Sequence, residues 1–155
     1  MSNKISLNCS KTLKLSNILI FEVAPSEDLN IGVEINRMEN YIKSKGYQPI
    51  GPLVQYAKTR ISEGGLEIII KFLRQSSGFI NNIDPPYTME PVLRIRDCMY
   101  VRFAGEESKM GFAYDKIKLT AFEEDIELKG DSYTVFVDRV DDNIVADVFM
   151  EKKHD

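Results

Sequence analysis

The sequence repeats itself at an interval of 80 residues, and this repeat restricts the possible folds more than any other feature of the chain. Residues of the same character recur in two stretches, 13–71 and 93–151. The matching pairs are Leu13 and Leu93, Leu15 and Ile95, Val23 and Phe103, Ala24 and Ala104, Asp28 and Ser108, Tyr56 and Phe136, Glu67 and Asp147, Ile68 and Val148, and Ile70 and Met150. The constant interval predicts one supersecondary unit present twice.

The first copy is predicted to be a strand, a helix and a hairpin. Apolar residues alternate over 11–24, which is typical of a half-buried strand bent near Ser16 and Asn17. A helix is predicted from Asp28, its N-cap, to Lys45, with a buried stripe of apolar residues and a polar outer face. The predicted stripe is Ile31, Ile35, Met38 and Ile42, and the predicted outer face is Glu34, Arg37, Glu39 and Lys43. Two β-rich runs, 52–61 and 65–74, follow as a hairpin around Gly64 and Gly65.

The second copy has the same predicted order. A strand covers 92–103, and a helix covers about 109–124 with Ser108 as its N-cap. Two further strands, 132–140 and 143–152, form a hairpin around 141–143.

These elements predict one domain over 1–155, with repeat 1 at about 11–73, a linker at about 74–91 and repeat 2 at about 92–152. Three prolines and an absence of periodicity mark the linker. One copy alone is too small to bury a sheet face, whereas two copies can share a core. We therefore expect an α+β fold in which two tandem β-α-β-β repeats are related by a pseudo-two-fold. It would have a curved, mainly antiparallel sheet with both helices on one face.

Composition excludes several functional classes. The 155 residues are 43% hydrophobic and 28% charged, which are the values of a globular domain rather than of a disordered or membrane protein. A net charge of -4 does not favour binding to nucleic acid. The two cysteines do not make a disulfide framework, and no apolar run typical of a signal peptide begins the sequence. These features predict a reducing, cytoplasmic location.

The single histidine, His154, lies in a charged C-terminal stretch. Because a Ser-His-Asp triad and a histidine-based metal site need a structured histidine, we expect neither, and with two distant cysteines and no paired histidines we expect no metal and no cofactor.

At this level the sequence resembles the GyrI-like effector-binding domains. The resemblance covers nearly the whole chain from about residue 11. It lies in the order and spacing of three segments: PIGPLVQYAKT at 49–59, YVRFAGEE at 100–107 and SYTVFVDRVDDNIVADVFME at 132–151.

The resemblance implies a duplicated strand-helix-strand-strand fold whose groove binds small hydrophobic molecules, often cationic. An acid on the last strand, flanked by aromatic residues, would bind the ligand, and Asp147 stands at that position. Such domains often follow a DNA-binding segment, which the short stretch before the first strand does not supply. We therefore expect a stand-alone, bacterial member of the family.

Asp147 and Glu67 are the candidate ligand-binding acids. Asp147 lies within a hydrophobic strand, where a carboxylate needs a cation, a hydrogen bond or water. It is either the counter-charge for a ligand or part of a solvated sheet face. Glu67 has the same alternatives, and Lys71 two residues further on favours an ordinary polar face.

Aromatic side chains could supply the groove walls, since aromatic faces pack against apolar ligands and attract cations. Most aromatic residues of a small domain belong to its core. The candidates are Tyr56, Phe149, Tyr100 and Phe136, of which Tyr56 and Phe149 are expected to flank the groove.

Three other groups of residues have simpler interpretations. The acidic run at 123–127 is a solvated surface or a docking patch for a basic partner. Arg94, Arg96 and Arg102 share a strand face, where they pair with acids across the sheet or bind an anion. Cys98 has no neighbouring base in the sequence and is expected to be a packing residue.

Three functions remain open at this point. The first is a small-molecule binding protein that is a monomer or homodimer and has no nucleic-acid or membrane partner. The second is an interaction or inhibitor module in which the same groove binds a protein. The third is a small hydrolase, as in GyrI-like proteins that open strained rings, which needs a carboxylate and a tyrosine that converge.

Overall fold

The structure is a computed structural model that describes residues 4–24 and 30–154. Each half of the chain supplies three strands and one helix, and a 3-10 turn, Glu107–Lys109, precedes the second helix. The elements are β1 (Lys4–Glu22), α1 (Ile31–Ser44), β2 (Pro49–Ser62), β3 (Gly65–Ser76), β4 (Tyr87–Glu106), α2 (Gly111–Glu123), β5 (Asp131–Val140) and β6 (Asn143–Glu151).

The chain divides into two compact units, and β1 contributes to both. Residues Lys14–Arg94 form the N-terminal unit, while residues 4–13 and 95–154 form the C-terminal unit. The first ten described residues therefore pack with the second half of the sequence. Leu7 and Cys9 contact the core beneath α2.

In the N-terminal unit, β3 pairs antiparallel with β1 on one side and with β2 on the other. Helix α1 packs against β2 and β3. The core between helix and strands is Leu19, Phe21, Met38, Ile42, Phe72 and Ile80. Because Ile80 is buried in this core, the segment predicted to be a linker contributes to packing.

The C-terminal unit has the same arrangement. Strand β6 pairs antiparallel with β4 and with β5, and α2 packs against β6. Its core is Met99, Val101, Phe103, Ala113, Ile117, Ala121, Ile144, Ala146, Val148 and Met150. The predicted class is confirmed: an α+β fold with two β-α-β-β repeats and antiparallel strands.

The N-caps of the two helices are Asn30 and Met110, which are not the residues predicted from the sequence. Asp28 lies outside the described residues, and the N-cap of α1 is Asn30, whose Oδ1 accepts from the Val33 amide at 3.3 Å. The prediction of Ser108 is wrong, because the N-cap of α2 is Met110, two residues later, and has no side-chain cap hydrogen bond. The 3-10 turn replaces the cap, since its backbone hydrogen bonds lead directly into the helix.

The apolar stripe of α1 is rotated from its predicted position. Met38 and Ile42 are buried as predicted, but the third buried position is Glu34, and Ile31 is exposed. Residues 34, 38 and 42 are four apart and lie on one face of the helix. Glu34 is accommodated there because Arg37 donates to its Oε1 at 3.1 Å.

The interval of 80 residues does not hold through the whole repeat. It fits the bends of the first strands, where Asn17 and Asp97 both have positive φ. The helices correspond at 79, since Glu34, Met38 and Ile42 match Ala113, Ile117 and Ala121. The hairpin ends correspond at 78, since Ser62 pairs with Gly65 as Val140 pairs with Asn143.

The shorter interval changes which residues are equivalent. Arg102 pairs with Asp147 as Glu22, 80 residues earlier, pairs with Lys71, so Asp147 corresponds to Lys71 and the predicted symmetry between Glu67 and Asp147 is wrong. The connection between strand and helix and the hairpin are both shorter in the second copy, and neither change is visible in the apolar pattern.

Candidate functional site

Asp147 lies at the centre of a polar cluster on β6. It faces Arg102 directly across the β4–β6 pair. The arginine binds the carboxylate through two contacts, Nε to Oδ1 at 2.7 Å and Nη2 to Oδ2 at 2.9 Å. The Tyr100 hydroxyl donates to Oδ1 at 2.8 Å. The Asp147 side chain is 13% exposed and the Arg102 side chain 49%, so a nearly buried anion is held by a half-exposed cation.

Strand alternation explains why these groups meet. Residues two apart on a strand share a face, and directly paired residues lie side by side on it. Tyr100 and Arg102 on β4 therefore stand beside Phe149 and Asp147 on β6. The predicted pairing of Arg102 with an acid across the sheet is present in the structure.

A row of aromatic rings lies beside this carboxylate. The Tyr100 and Phe149 rings are 4.9 Å apart between centroids, and the Lys11 ammonium lies 4.1 Å from the Tyr100 centroid. Tyr133 on β5 pairs with Phe149 from the other side, so three aromatic residues form a row across the three strands. All three are buried. We call Tyr100, Arg102, Tyr133, Asp147 and Phe149 the Asp147 cluster.

Sequence reasoning did not identify Tyr133 because of a β-bulge. The β5–β6 register shifts by one residue between Phe136 and Asp138. One extra residue moves every side chain beyond it to the other face of the strand. Phe136 therefore pairs with Ala146, a core residue beneath α2, and lies on the face opposite Asp147.

The predicted residues Tyr56 and Glu67 share a face of the N-terminal unit. Arg60 pairs with Glu67 across the hairpin, with Nε 2.8 Å from Oε2. Tyr56 pairs with Lys71, whose ammonium lies 5.6 Å from the ring centroid. Both charged side chains of the Arg60 pair are largely exposed, at 59% and 45%.

These residues line a surface cavity of about 340 Å³. Its lining consists of Glu22, Val23, Tyr56, Arg60, Glu67, Ile68, Ile69 and Lys71. Two opposite-charge pairs, one tyrosine and three aliphatic side chains make it amphipathic. The spacing of the hairpin could have identified Arg60, since a turn at 63–64 places residue 60 opposite residue 67.

Electrostatics follow from this packing. Burial, and then the hydrogen bond and negative charge of Asp147, raise the pKa of Tyr100. The same carboxylate raises the pKa of Arg102, which keeps its guanidinium charged. Burial raises the pKa of Cys98 to about 12, and such a thiol is a poor nucleophile at neutral pH.

Residues 4–24 and 30–154 contain no group of three or more His, Cys, Asp or Glu side chains placed to hold a metal ion. No helix in that part of the chain is long and apolar enough to cross a membrane.

Comparison with known proteins identifies the fold. No family model matches the sequence, and no curated protein matches it significantly. The crystal structure of the EcmrR C-terminal domain superposes with a TM-score of 0.63 at 10% identity, covering 100% of both chains. EcmrR in a cryo-EM complex with DNA matches with a TM-score of 0.64 at 10% identity, and 99% of this chain spans 58% of that polypeptide.

A third structure, of a hydrolase encoded by lin2189 from Listeria innocua, has a TM-score of 0.57 at 9% identity. The match covers 93% of this chain and 91% of that one. At these identities the likeness concerns the fold. The GyrI-like fold expected from the sequence is confirmed.

Removal of Arg102 should destabilise the protein more than removal of Arg60. Arg102→Ala leaves a nearly buried carboxylate without its main partner, which we expect to lower the free energy of unfolding by about 1 to 2 kcal/mol. Arg60→Ala, the matched control, breaks a largely exposed pair and should lower it by less than about 0.5 kcal/mol. Urea unfolding of both variants measures the difference, and equal losses would contradict the burial argument.

Titration of Tyr100 should depend on Asp147. A phenol whose pKa is raised in the folded state contributes stability below its unfolded pKa of about 10, and this stability is lost as pH rises through the folded pKa. Asp147→Asn removes the charge and the carboxylate acceptor, so it should lower the pKa of Tyr100. Ultraviolet absorbance of tyrosinate measures this, with Tyr100→Phe identifying the Tyr100 component. An unchanged titration would show that burial alone sets the pKa.

Proposed function

We propose that the protein binds small amphipathic cations, with Asp147 as the anchor and the aromatic row as the apolar wall. One observation carries the proposal: a nearly buried carboxylate lies beside a row of aromatic rings and is held by a cation that is half exposed to water. This arrangement has the chemistry that recognises a positively charged group attached to an apolar body. It also matches the pattern that the GyrI-like resemblance implies.

Binding would proceed by exchange of cations. Arg102 satisfies Asp147 when no ligand is bound, which avoids the free energy of leaving a buried anion unpaired. Because half of the Arg102 side chain lies in solvent, it can move into water without a further desolvation cost. A ligand cation would then bind the carboxylate, and its apolar part would pack against Tyr100 and Phe149 in place of the protein groups that bury their rings.

Lysine contacts support this mechanism. The ammonium of Lys11 already lies over the Tyr100 ring, and that of Lys71 lies near the Tyr56 ring. In each unit a lysine of the protein therefore lies over or near a tyrosine ring. In each case the tyrosine is close to an acid that is paired with an arginine. An exposed lysine is strongly hydrated, so a more weakly hydrated organic cation can replace it over the ring.

The surface cavity lined by Tyr56 and Glu67, which we call the Tyr56 cavity, is a second, more polar position for the same ligand class. Its volume of about 340 Å³ lies at the small end of the range of ligand pockets. Glu67 is more exposed than Asp147, so the gain from pairing with a ligand is smaller there. We therefore assign the tighter binding to the Asp147 cluster. We also propose a cytoplasmic location for this binding protein.

Calorimetric titration with benzyltributylammonium tests the anchor. We expect the wild type to bind it, and to bind an uncharged aromatic compound of similar size at least about tenfold more weakly. Asp147→Asn should reduce cation affinity by about tenfold or more, because it removes the counter-charge but keeps the shape of the side chain. Glu67→Gln is the matched control and should leave the tightest site unchanged.

Ring variants separate packing from hydrogen bonding. Tyr100→Phe keeps the aromatic face and should retain most of the affinity, whereas Tyr100→Leu should lose it. Circular dichroism and melting temperature confirm that each variant is folded. If Glu67→Gln weakens binding and Asp147→Asn does not, the Tyr56 cavity is the binding site and the assignment to Asp147 is wrong.

Hydrolysis is a second candidate function, favoured by the contact between the Tyr100 hydroxyl and Asp147 at 2.8 Å. A carboxylate and a tyrosine that converge can supply a base and a proton donor. One structure with this fold is described as a hydrolase. Incubation of the protein with small strained-ring compounds tests this candidate. Turnover that is lost in Tyr100→Phe would favour an enzyme, since this variant should retain binding.

A further inference from the structure

Helix α2 has an apolar face that points away from its own unit. Its buried residues, Ala113, Ile117 and Ala121, pack on the sheet. On the opposite side Phe112 and Leu119 are each 57% exposed and Phe122 is 80% exposed. A helix that is apolar on both sides is normally covered on both sides.

Helix α1 provides an internal comparison. The two helices correspond at an interval of 79 residues, so Leu119 and Phe122 are equivalent to Asn40 and Lys43. Asn40 and Lys43 are exposed and polar, as expected for a helix that faces water. The repeat unit therefore does not require apolar residues at positions 119 and 122, and these two are specific to α2, whereas Phe112 corresponds to Val33, which is also exposed.

The size of this face is that of an interface core. At about 200 Å² for a large side chain, the three residues expose roughly 400 Å². This is the size of the largest apolar patch on a typical monomeric protein, and such patches are often functional. A stable dimer buries about 800 Å² on each partner, so the patch would form the centre and neighbouring polar residues the rim.

Two charged residues on one flank of the apolar face indicate its occupant, while the other flank carries the exposed Asp115. At 100° per residue, Lys116 lies about 60° and Glu123 about 40° from Leu119, in the same direction around the helix. Lys116 is three residues before Leu119 and Glu123 is four residues after it. Neither side chain forms an ion pair with any residue in the part of the chain that the structure describes.

This pattern complements itself when a second copy packs antiparallel. With a two-fold axis beside Leu119, a residue that precedes Leu119 in one copy lies at the same height as a residue equally far after Leu119 in the other copy. Both residues are then on the same flank of the interface. Lys116 of each copy then faces Glu123 of the other, and Leu119 packs against Leu119. In a parallel two-fold dimer the charged flanks of the two copies lie on opposite sides of the interface, so Lys116 and Glu123 would have no partner across it. We propose that α2 forms the interface of an antiparallel, two-fold homodimer.

The interface does not involve the Asp147 cluster, because residues buried in that cluster lie on the sheet face that α2 does not cover. The dimer is therefore independent of ligand binding. The charge pair selects the antiparallel orientation and the apolar face supplies the association free energy.

Sedimentation velocity over a range of concentrations, at low ionic strength, tests the proposal. The wild type is expected to dimerise reversibly. Leu119→Asn combined with Phe122→Lys places the α1 residues on α2, and this variant should be monomeric with an unchanged circular dichroism spectrum. Asn40→Ala, an exposed change on α1, is the matched control and should remain dimeric.

Charge reversal tests the orientation. Lys116→Glu alone and Glu123→Lys alone should each weaken the dimer by about tenfold or more, because each sets like charges against one another. The double variant should return to within about threefold of the wild type, since the pairs are restored with opposite sign. An equimolar mixture of the two single variants should form heterodimers.

Three results would overturn the proposal. They are a wild type that stays monomeric at all concentrations, a Leu119→Asn and Phe122→Lys variant that still dimerises, and a double charge reversal that fails to restore association. If the wild type stays monomeric, the apolar face of α2 would instead bind a partner of different sequence.

Discussion

The ion pair between Arg102 and Asp147 is the interaction on which the candidate site depends. A carboxylate on a largely buried strand face is tolerated only if a cation and hydrogen-bond donors satisfy it. The β4–β6 register supplies both by placing Arg102 beside the acid and Tyr100 next to them. The same register aligns Tyr100 with Phe149, so the electrostatic and the apolar parts of the site have one structural origin. A shift of one residue would separate them.

Much of the fold could be predicted because its signals are local. Alternation marked the strands, and glycine or acidic residues at 63–65 and 141–143 marked the two hairpin turns. The helix caps and the buried stripe of α1 were harder to predict from the sequence. A 3-10 turn replaces the cap of α2, and Arg37 allows Glu34 to be buried in α1. The interval of 80 residues was correct only for the first strands. The shorter connection between strand and helix and the shorter second hairpin change the interval without altering the apolar period of any element.

Less of the site could be predicted, because it depends on pairings between distant residues. The alternation on β6 placed Asp147 beside Phe149, and strand chemistry indicated an arginine partner. The position of Phe136 depends on a β-bulge that no residue type announces, and the same bulge aligns Tyr133 with the site. Lys11 reaches Tyr100 only because the start of β1 packs with the C-terminal unit. Such contacts follow from topology and not from composition.

The division of β1 between the units also sets an order of assembly. The N-terminal unit is one continuous stretch, Lys14–Arg94, so all of it is available once the first two thirds of the chain have been synthesised. The C-terminal unit must recruit residues 4–13 across more than eighty intervening positions, which makes its contacts non-local and its formation slower. During synthesis the start of β1 therefore remains without its partners until residues 95–154 have been translated.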